Sequence, residues 1–185
     1  MTHFARRAIA GLTCLVLVVL TQPGEAARQD PQSVPEPELK AAFLYNFAKF
    51  TEWPGGGAPA GLTFCIADDA IADALRRLVA GRLIDGRQPH VRRVALDESL
   101  AGCAVLYAGH LDEPQTRALV ESLKGGAVLS VGESDRFAIR GGIVGLFIET
   151  GQVRFAVNVG AAGRARLRLS SQLLSLARII KDVVE

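Results

Sequence analysis

The sequence is short of most of what an enzyme or a nucleic-acid binder is built from. It has three histidines in 185 residues, and His90 and His110 find no third ligand at metal-like spacing. His110 beside Asp112 reads as a loop histidine next to a helix cap, so no metal is expected. No Gly-x-Gly-x-x-Gly or Walker pattern occurs, which leaves a phosphate cradle without support. The run Gly132-Glu133-Ser134-Asp135-Arg136 lacks the second glycine of a nucleophile elbow. Catalytic residues and cofactors are therefore expected to be absent. The formal net charge is only +2, too little to argue for bulk binding to nucleic acid or an anionic membrane. No internal repeat is visible.

The chain also lacks an apolar run of the roughly 20 residues that a membrane helix needs. Ile9 to Leu20 is twelve residues, preceded by Arg6 and Arg7 and followed by a small-x-small site at Gly24 and Ala26. This is the pattern of a secretory signal peptide, residues 1–26, cleaved near Ala26 or Ala27. Cys14 lies inside the apolar run and is not expected to carry lipid. Export makes the periplasm the expected compartment, with no membrane insertion after signal removal, and argues against a nucleic-acid partner. A polar, proline-rich lead-in over 27–37 and a single domain over 38–185 complete the organisation.

Two cysteines remain after export, Cys65 and Cys103, an even count for an oxidising compartment. They lie in the apolar runs LTFCIA (62–67) and CAVLYAG (103–109), both of which read as buried strands. Neighbouring strands would allow a disulfide, and two reduced buried cysteines are the alternative.

Periodicity fills in the rest. Leu39, Phe43, Phe47 and Phe50 recur at helical spacing, ended by Trp53-Pro54 and the glycines beyond. Asp68-Asp69 caps a helix over Ala70–Ala80 closed by Gly81, with Ile71, Leu75, Leu78 and Val79 inward. Leu83-Ile84 and His90–Leu96 read as exposed extended segments, and Asp97–Ala101 as one helical turn. Asp112-Glu113-Pro114 opens a helix over Glu113–Lys124. Gly126–Val131 is a third buried strand, and Thr150-Gly151 turns a hairpin. Ala161–Val184 reads as a helix. The fold class is α/β, a mostly parallel sheet flanked by helices with a C-terminal antiparallel hairpin.

Three groups of residues invite a binding role. Strand ends carry Asp68, His110 and Glu133, which could converge on a small polar ligand, or serve only as caps and turns. Aromatics are scarce, at eight Phe, two Tyr and one Trp, yet five of them fall within Leu39–Pro54. Phe43, Phe47 and Phe50 belong to the stripe read as core. Tyr45, Lys49 and Trp53, with Asn46 beside them, form a second stripe that suits a contact surface or packs under the loop 55–61. Phe155 and Asn158 with Leu169, Gln172 and Leu173 could form a groove for a partner helix. Equally, Asn158 and Ser170 could only cap helices. The alternating Arg164, Arg166 and Arg168 read as a solvated face.

These motifs together resemble the YfiR family of periplasmic proteins. The opening helix stands complete as Lys40-Ala41-Ala42-Phe43-Leu44-Tyr45-Asn46-Phe47-Ala48-Lys49-Phe50, then Trp53-Pro54. Gly141-Gly142, Arg154-Phe155-Ala156-Val157-Asn158 and Ser170-Ser171-Gln172-Leu173-Leu174-Ser175-Leu176-Ala177 follow in family order, with Cys65-Ile66 and Gly102-Cys103 as half-cystines. Departures are Gly145 and Leu146, where asparagine and phenylalanine are frequent, and Ala156, often glutamate. The resemblance implies a non-enzymatic regulator that binds the periplasmic sensory region of an inner-membrane diguanylate cyclase. It further implies repression of that cyclase, lower cyclic di-GMP and less biofilm, relieved by redox disturbance of the disulfide or by an outer-membrane partner. A small-ligand-binding domain feeding a sensor kinase or other membrane receptor is the alternative, and exposed aromatics leave a homodimer open.

Overall fold

The computed structural model describes residues 34–56 and 61–181. The expected signal peptide and most of the lead-in lie outside the described residues. Helix α1 (Glu36–Lys49) begins with Pro37 and two acids in its first turn and ends on Lys49, charges that suit the helix dipole. Strand β1 (Thr51–Glu52) follows, then β2 (Thr63–Ile66) and α2 (Asp69–Val79). Asp68 accepts from Ile71 N–H at 2.9 Å and fixes where α2 begins. Strands β3 (His90–Arg93) and β4 (Val105–Tyr107) lead to α3 (Glu113–Ser122). That helix opens with a full capping box between Asp112 and Gln115. Strand β5 (Leu129–Glu133), α4 (Asp135–Ile139), and the hairpin β6 (Val144–Glu149) and β7 (Gln152–Asn158) come next. The chain then forms α5 (Val159–Arg164), β8 (Arg168–Leu169), α6 (Ser171–Leu174) and β9 (Arg178–Ile180).

The main sheet runs β3-β2-β4-β5-β6-β7-β9. Its first five strands are parallel, β7 runs antiparallel to β6, and β9 runs parallel to β7. This is the expected mostly parallel α/β sheet with its hairpin. Strand residues alternate between two apolar layers. Phe64, Ile66, Val105 and Tyr107 face α1, α2 and α5, while Cys65 and Leu106 face the layer that holds Leu119 of α3 and Phe137 of α4. Burial on both faces accounts for the unbroken apolar runs. Because β2 sends the chain to β3 on one side and has β4 on the other, a switch point lies between β2 and β4.

Four expectations need correction. The helix over Ala161–Val184 is replaced, as far as the described residues go, by α5, β8, α6 and β9. Gly160 and Gly163 weaken a helix there, and Arg166 at φ +57° breaks it. Ser170 then caps α6 at Leu173 N–H. The β-branched pair Ile179-Ile180 takes the open edge of β7 instead. The stripe Leu39, Phe43, Phe47 and Phe50 is not the deepest face of α1; Ala41, Leu44, Phe47 and Ala48 are, since alanines let the helix lie close to α2 and the sheet. The helical turn over Asp97–Ala101 is an irregular turn, and Leu83-Ile84 contributes only an isolated bridge between Ile84 and Arg87.

Candidate functional site

The disulfide forms between Cys65 and Cys103, with Cα atoms 5.7 Å apart, because β2 and β4 are parallel neighbours. It closes a sequence separation of 38 residues and leaves both cysteines buried.

The two motif halves meet through a two-stranded ribbon. Strand β1 pairs antiparallel with β8, matching Thr51 to Leu169, and Ser170 N–H donates to Phe50 O at 2.9 Å. Below the ribbon, Phe155 packs against Phe47 and Phe43 at 5.0 and 6.1 Å between ring centroids. The C-terminal end of α1 therefore stands beside α6. Within this region the expected contact residues divide by burial. Trp53 is buried, and its Nε1–H donates to Ala127 O at 3.0 Å, so the tryptophan fastens the end of α1 to the start of β5 and presents no wet edge. Phe155 and Leu173 are core. Asn158 is buried and fully used: it accepts from Ala161 N–H at 2.7 Å and donates to Ala138 O at 3.0 Å. Asn46, Lys49 and Gln172 are exposed, and Tyr45 and Leu169 are half-buried. The Arg82 guanidinium lies 5.8 Å from the Tyr45 ring. Phe155 and Asn158 are therefore core and not the floor of an open groove among the described residues; the exposed members of the expected set are the polar Asn46, Lys49 and Gln172.

The strand-end residues sit at the carboxyl edge of the parallel strands. Glu133, at the end of β5, accepts hydrogen bonds from Tyr107 Oη, at the end of β4, and from Lys40 Nζ of α1. Lys40 also pairs with Glu36 at 2.5 Å. Burial pushes the Glu133 pKa up, but the hydrogen bonds from Lys40 and Tyr107 and the charges of Lys40 and His110 outweigh it and hold the carboxyl below its ordinary range. Burial pulls the Lys40 pKa down, but the hydrogen bonds to Glu133 and Glu36 and the charges of both carboxylates together outweigh it and hold the ammonium above its ordinary value. Burial and the Glu133 hydrogen bond push the Tyr107 hydroxyl upward, with a smaller contribution from the Asp68 charge. His110 and Asp68 are thus close enough for their charges to be felt, but Asp68 is occupied in capping α2 and both are exposed. Sequence reasoning missed Lys40 and Tyr107. Tyr107 is a polar-tipped residue at the end of a buried strand, and Lys40 is four residues from Glu36, signals that point to a polar cluster.

Among the described residues, no group of three His, Cys, Asp or Glu is placed to hold a metal, and no helix is long and apolar enough to cross a membrane.

A family model described as YfiR/HmsC-like matches residues 37–178. No curated protein matches the chain. A solved structure of a conserved domain protein from Vibrio cholerae O1 biovar El Tor is similar in fold, with a TM-score of 0.50 at 11% identity. The alignment covers 81% of this chain but only 61% of that one, and it bears on the fold alone.

Proposed function

Because the chain belongs to the YfiR/HmsC-like family, we propose that it is a periplasmic, non-enzymatic regulator of cyclic di-GMP signalling. It represses a membrane-anchored diguanylate cyclase by binding the cyclase's periplasmic sensory region, and so limits biofilm formation. The family match over residues 37–178 is the single observation that carries this reading. Residues 1–26 act as the signal peptide, and the mature domain works in the periplasm.

The contact surface we assign is the exposed polar patch on either side of the ribbon, Asn46, Lys49 and Gln172, with the half-buried Tyr45 and Leu169 at its margin. Trp53, Phe155, Asn158 and Leu173 support that surface from within. A pull-down of the mature protein against detergent-solubilised host membranes tests the partner. Recovery of a diguanylate cyclase is expected, together with a rise in cellular cyclic di-GMP when the protein is deleted. Recovery of a sensor kinase instead would move the protein to another pathway. In the variant Asn46→Ala/Lys49→Ala/Gln172→Ala, repression should weaken while the melting temperature stays within a few degrees; full repression would remove the surface assignment.

A second reading rests on the Glu133–Lys40–Tyr107 network at the sheet's carboxyl edge, the usual place for a small polar ligand in a parallel sheet. Thermal-shift titration with charged metabolites tests it, since a ligand of the folded state raises the melting temperature.

A further inference from the structure

Every connection between the parallel strands β2 to β6 carries a helix except one. The step from β2 to β3 is made by α2, that from β4 to β5 by α3, and that from β5 to β6 by α4. The step from β3 to β4 passes β2 using residues 94–104 alone, and these stay irregular throughout. A crossover between parallel strands ordinarily takes about a dozen or more residues and a helix. This one is shorter, and it covers the sheet only in part. Leu96 and Leu100 pack onto the layer of Cys65 and Leu106, as do Leu111, Leu123 and Val128, yet all five remain half-buried.

The place beside α3 that a crossover helix would take is therefore a groove. It opens to about 580 Å³ at one end and about 260 Å³ at the other, and the two parts share Leu96, Asp97 and Ser122. Buried Leu119 lies beneath it. One wall is the crossover. The other is α3, which brings Ala118 and Ser122 to the groove one helical turn apart. Short side chains at that spacing let a second helix pack at about 8–10 Å between axes. Ser122 Oγ already donates to Leu119 O at 2.8 Å, so this wall asks for no polar partner.

The lip of the groove is acidic. Asp97 and Glu98 are exposed, and neither forms an ion pair among the described residues. His110 is the one basic side chain between Val94 and Thr116. At the other end Lys124 is paired with Glu121 at 2.6 Å.

The structure assigns this groove to a basic amphipathic helix of a partner protein, which takes the seat that the short crossover leaves empty. The helix lays its apolar stripe on Leu96, Leu119 and Leu123 and sets Lys or Arg against Asp97 and Glu98. A second copy of the chain is the poorer occupant: α2, which carries Arg76 and Arg77 beside an apolar stripe, buries that stripe against α1 and the sheet. The groove lies across the sheet from α1 and α2, so its assignment is independent of the surface around Asn46, Lys49 and Gln172.

The probe is a synthetic peptide of about three helical turns, with a leucine stripe flanked by lysines and a hydrocarbon bridge on its outer face to hold it helical. Fluorescence anisotropy measures its binding to the purified mature protein. A peptide with glutamate in place of every lysine is expected to bind about tenfold more weakly. Ala118→Arg should abolish binding by filling the groove with a bulky cation. Asp97→Asn/Glu98→Gln should weaken binding about tenfold and remove most of its salt dependence. All three positions are exposed, so the fold should tolerate these changes. Hydrogen exchange of the wild type gives a second reading, with protection by the peptide expected over 96–100 and 118–123. No binding, equal binding of the two peptides, or unchanged binding in Ala118→Arg would overturn the proposal. Loss of binding in Asn46→Ala/Lys49→Ala/Gln172→Ala would overturn it too, by placing the peptide on the other face. A protein that sediments as a dimer, and that Ala118→Arg makes monomeric, would give the groove to a second copy and end the proposal.

Discussion

The two sides of the sheet hold their strands by different means. On the side of β3, β2 and β4 the fastening is covalent: Cys65 and Cys103 tie neighbouring strands within a buried layer. On the side of β5, β6 and β7 it is steric. The Phe137 ring of α4 lies directly over Gly132 and Gly142, where any Cβ would overlap it, and Gly145 meets the backbone at Ser134 with equally little room. One side is conditional on the redox state of its surroundings. The other depends only on the absence of three side chains. A chain can thus expose one part of its sheet to chemical control while keeping the rest indifferent to it.

That contrast can be broken from either side. The largest effect expected is from Cys65→Ala/Cys103→Ala or full reduction, about 4 kcal/mol for a loop of this length in the chain-entropy view. Urea unfolding of oxidised and reduced protein measures it, and coincident curves would mean that packing alone holds that side. Gly142→Ala should cost about 3 kcal/mol by forcing the Phe137 ring off its seat. Partial recovery in Gly142→Ala/Phe137→Leu would locate the cost in that ring. Asn158→Ala should cost about 2 kcal/mol, losing the α5 cap and the bond that ties β7 to Ala138 of α4. Asn158→Asp, which keeps the cap and loses the donor, should cost about half as much.

The smallest effect is a change of slope. Folding lowers the Glu133 pKa below its ordinary 4.5, so its contribution is present above that value and is lost as pH falls through the depressed one. Folding raises the Lys40 pKa, so the opposite limb disappears only as pH rises above 10.5. Glu133→Gln should therefore lower the melting temperature at neutral pH, leave it little changed at the acid end, and so flatten the acid limb between them. An unaltered acid limb would show that other carboxylates set it.

What the sequence reveals follows the range of the chemistry involved. The Asp68 and Asp112 caps, the Thr150-Gly151 turn and the buried runs act within a few residues, and they read directly as α2, α3, the hairpin and the central strands. The disulfide is legible because each cysteine sits in such a run. The C-terminal segment is not, because Arg178–Ile180 becomes a strand only when the edge of β7 is there to receive it, and Arg168–Leu169 only when β1 is. At the site, Glu133 is visible as a strand end, but Lys40 reaches it from 93 residues away. Trp53 misleads for the same reason. Its partner, the Ala127 carbonyl, is 74 residues distant, and without it the indole looks available.

The β1–β8 ribbon also bears on the order in which the molecule can assemble. Thr51-Glu52 waits for Arg168-Leu169, so β1 has no mate until a segment far later in the chain has been made. The Phe43 and Phe47 rings likewise wait for Phe155. Contacts of such long sequence separation are slow to form, because the intervening loop must be closed first. A nascent chain carrying these residues keeps the end of α1 short of its partners until β7 and β8 have emerged, and the two motif halves then settle together.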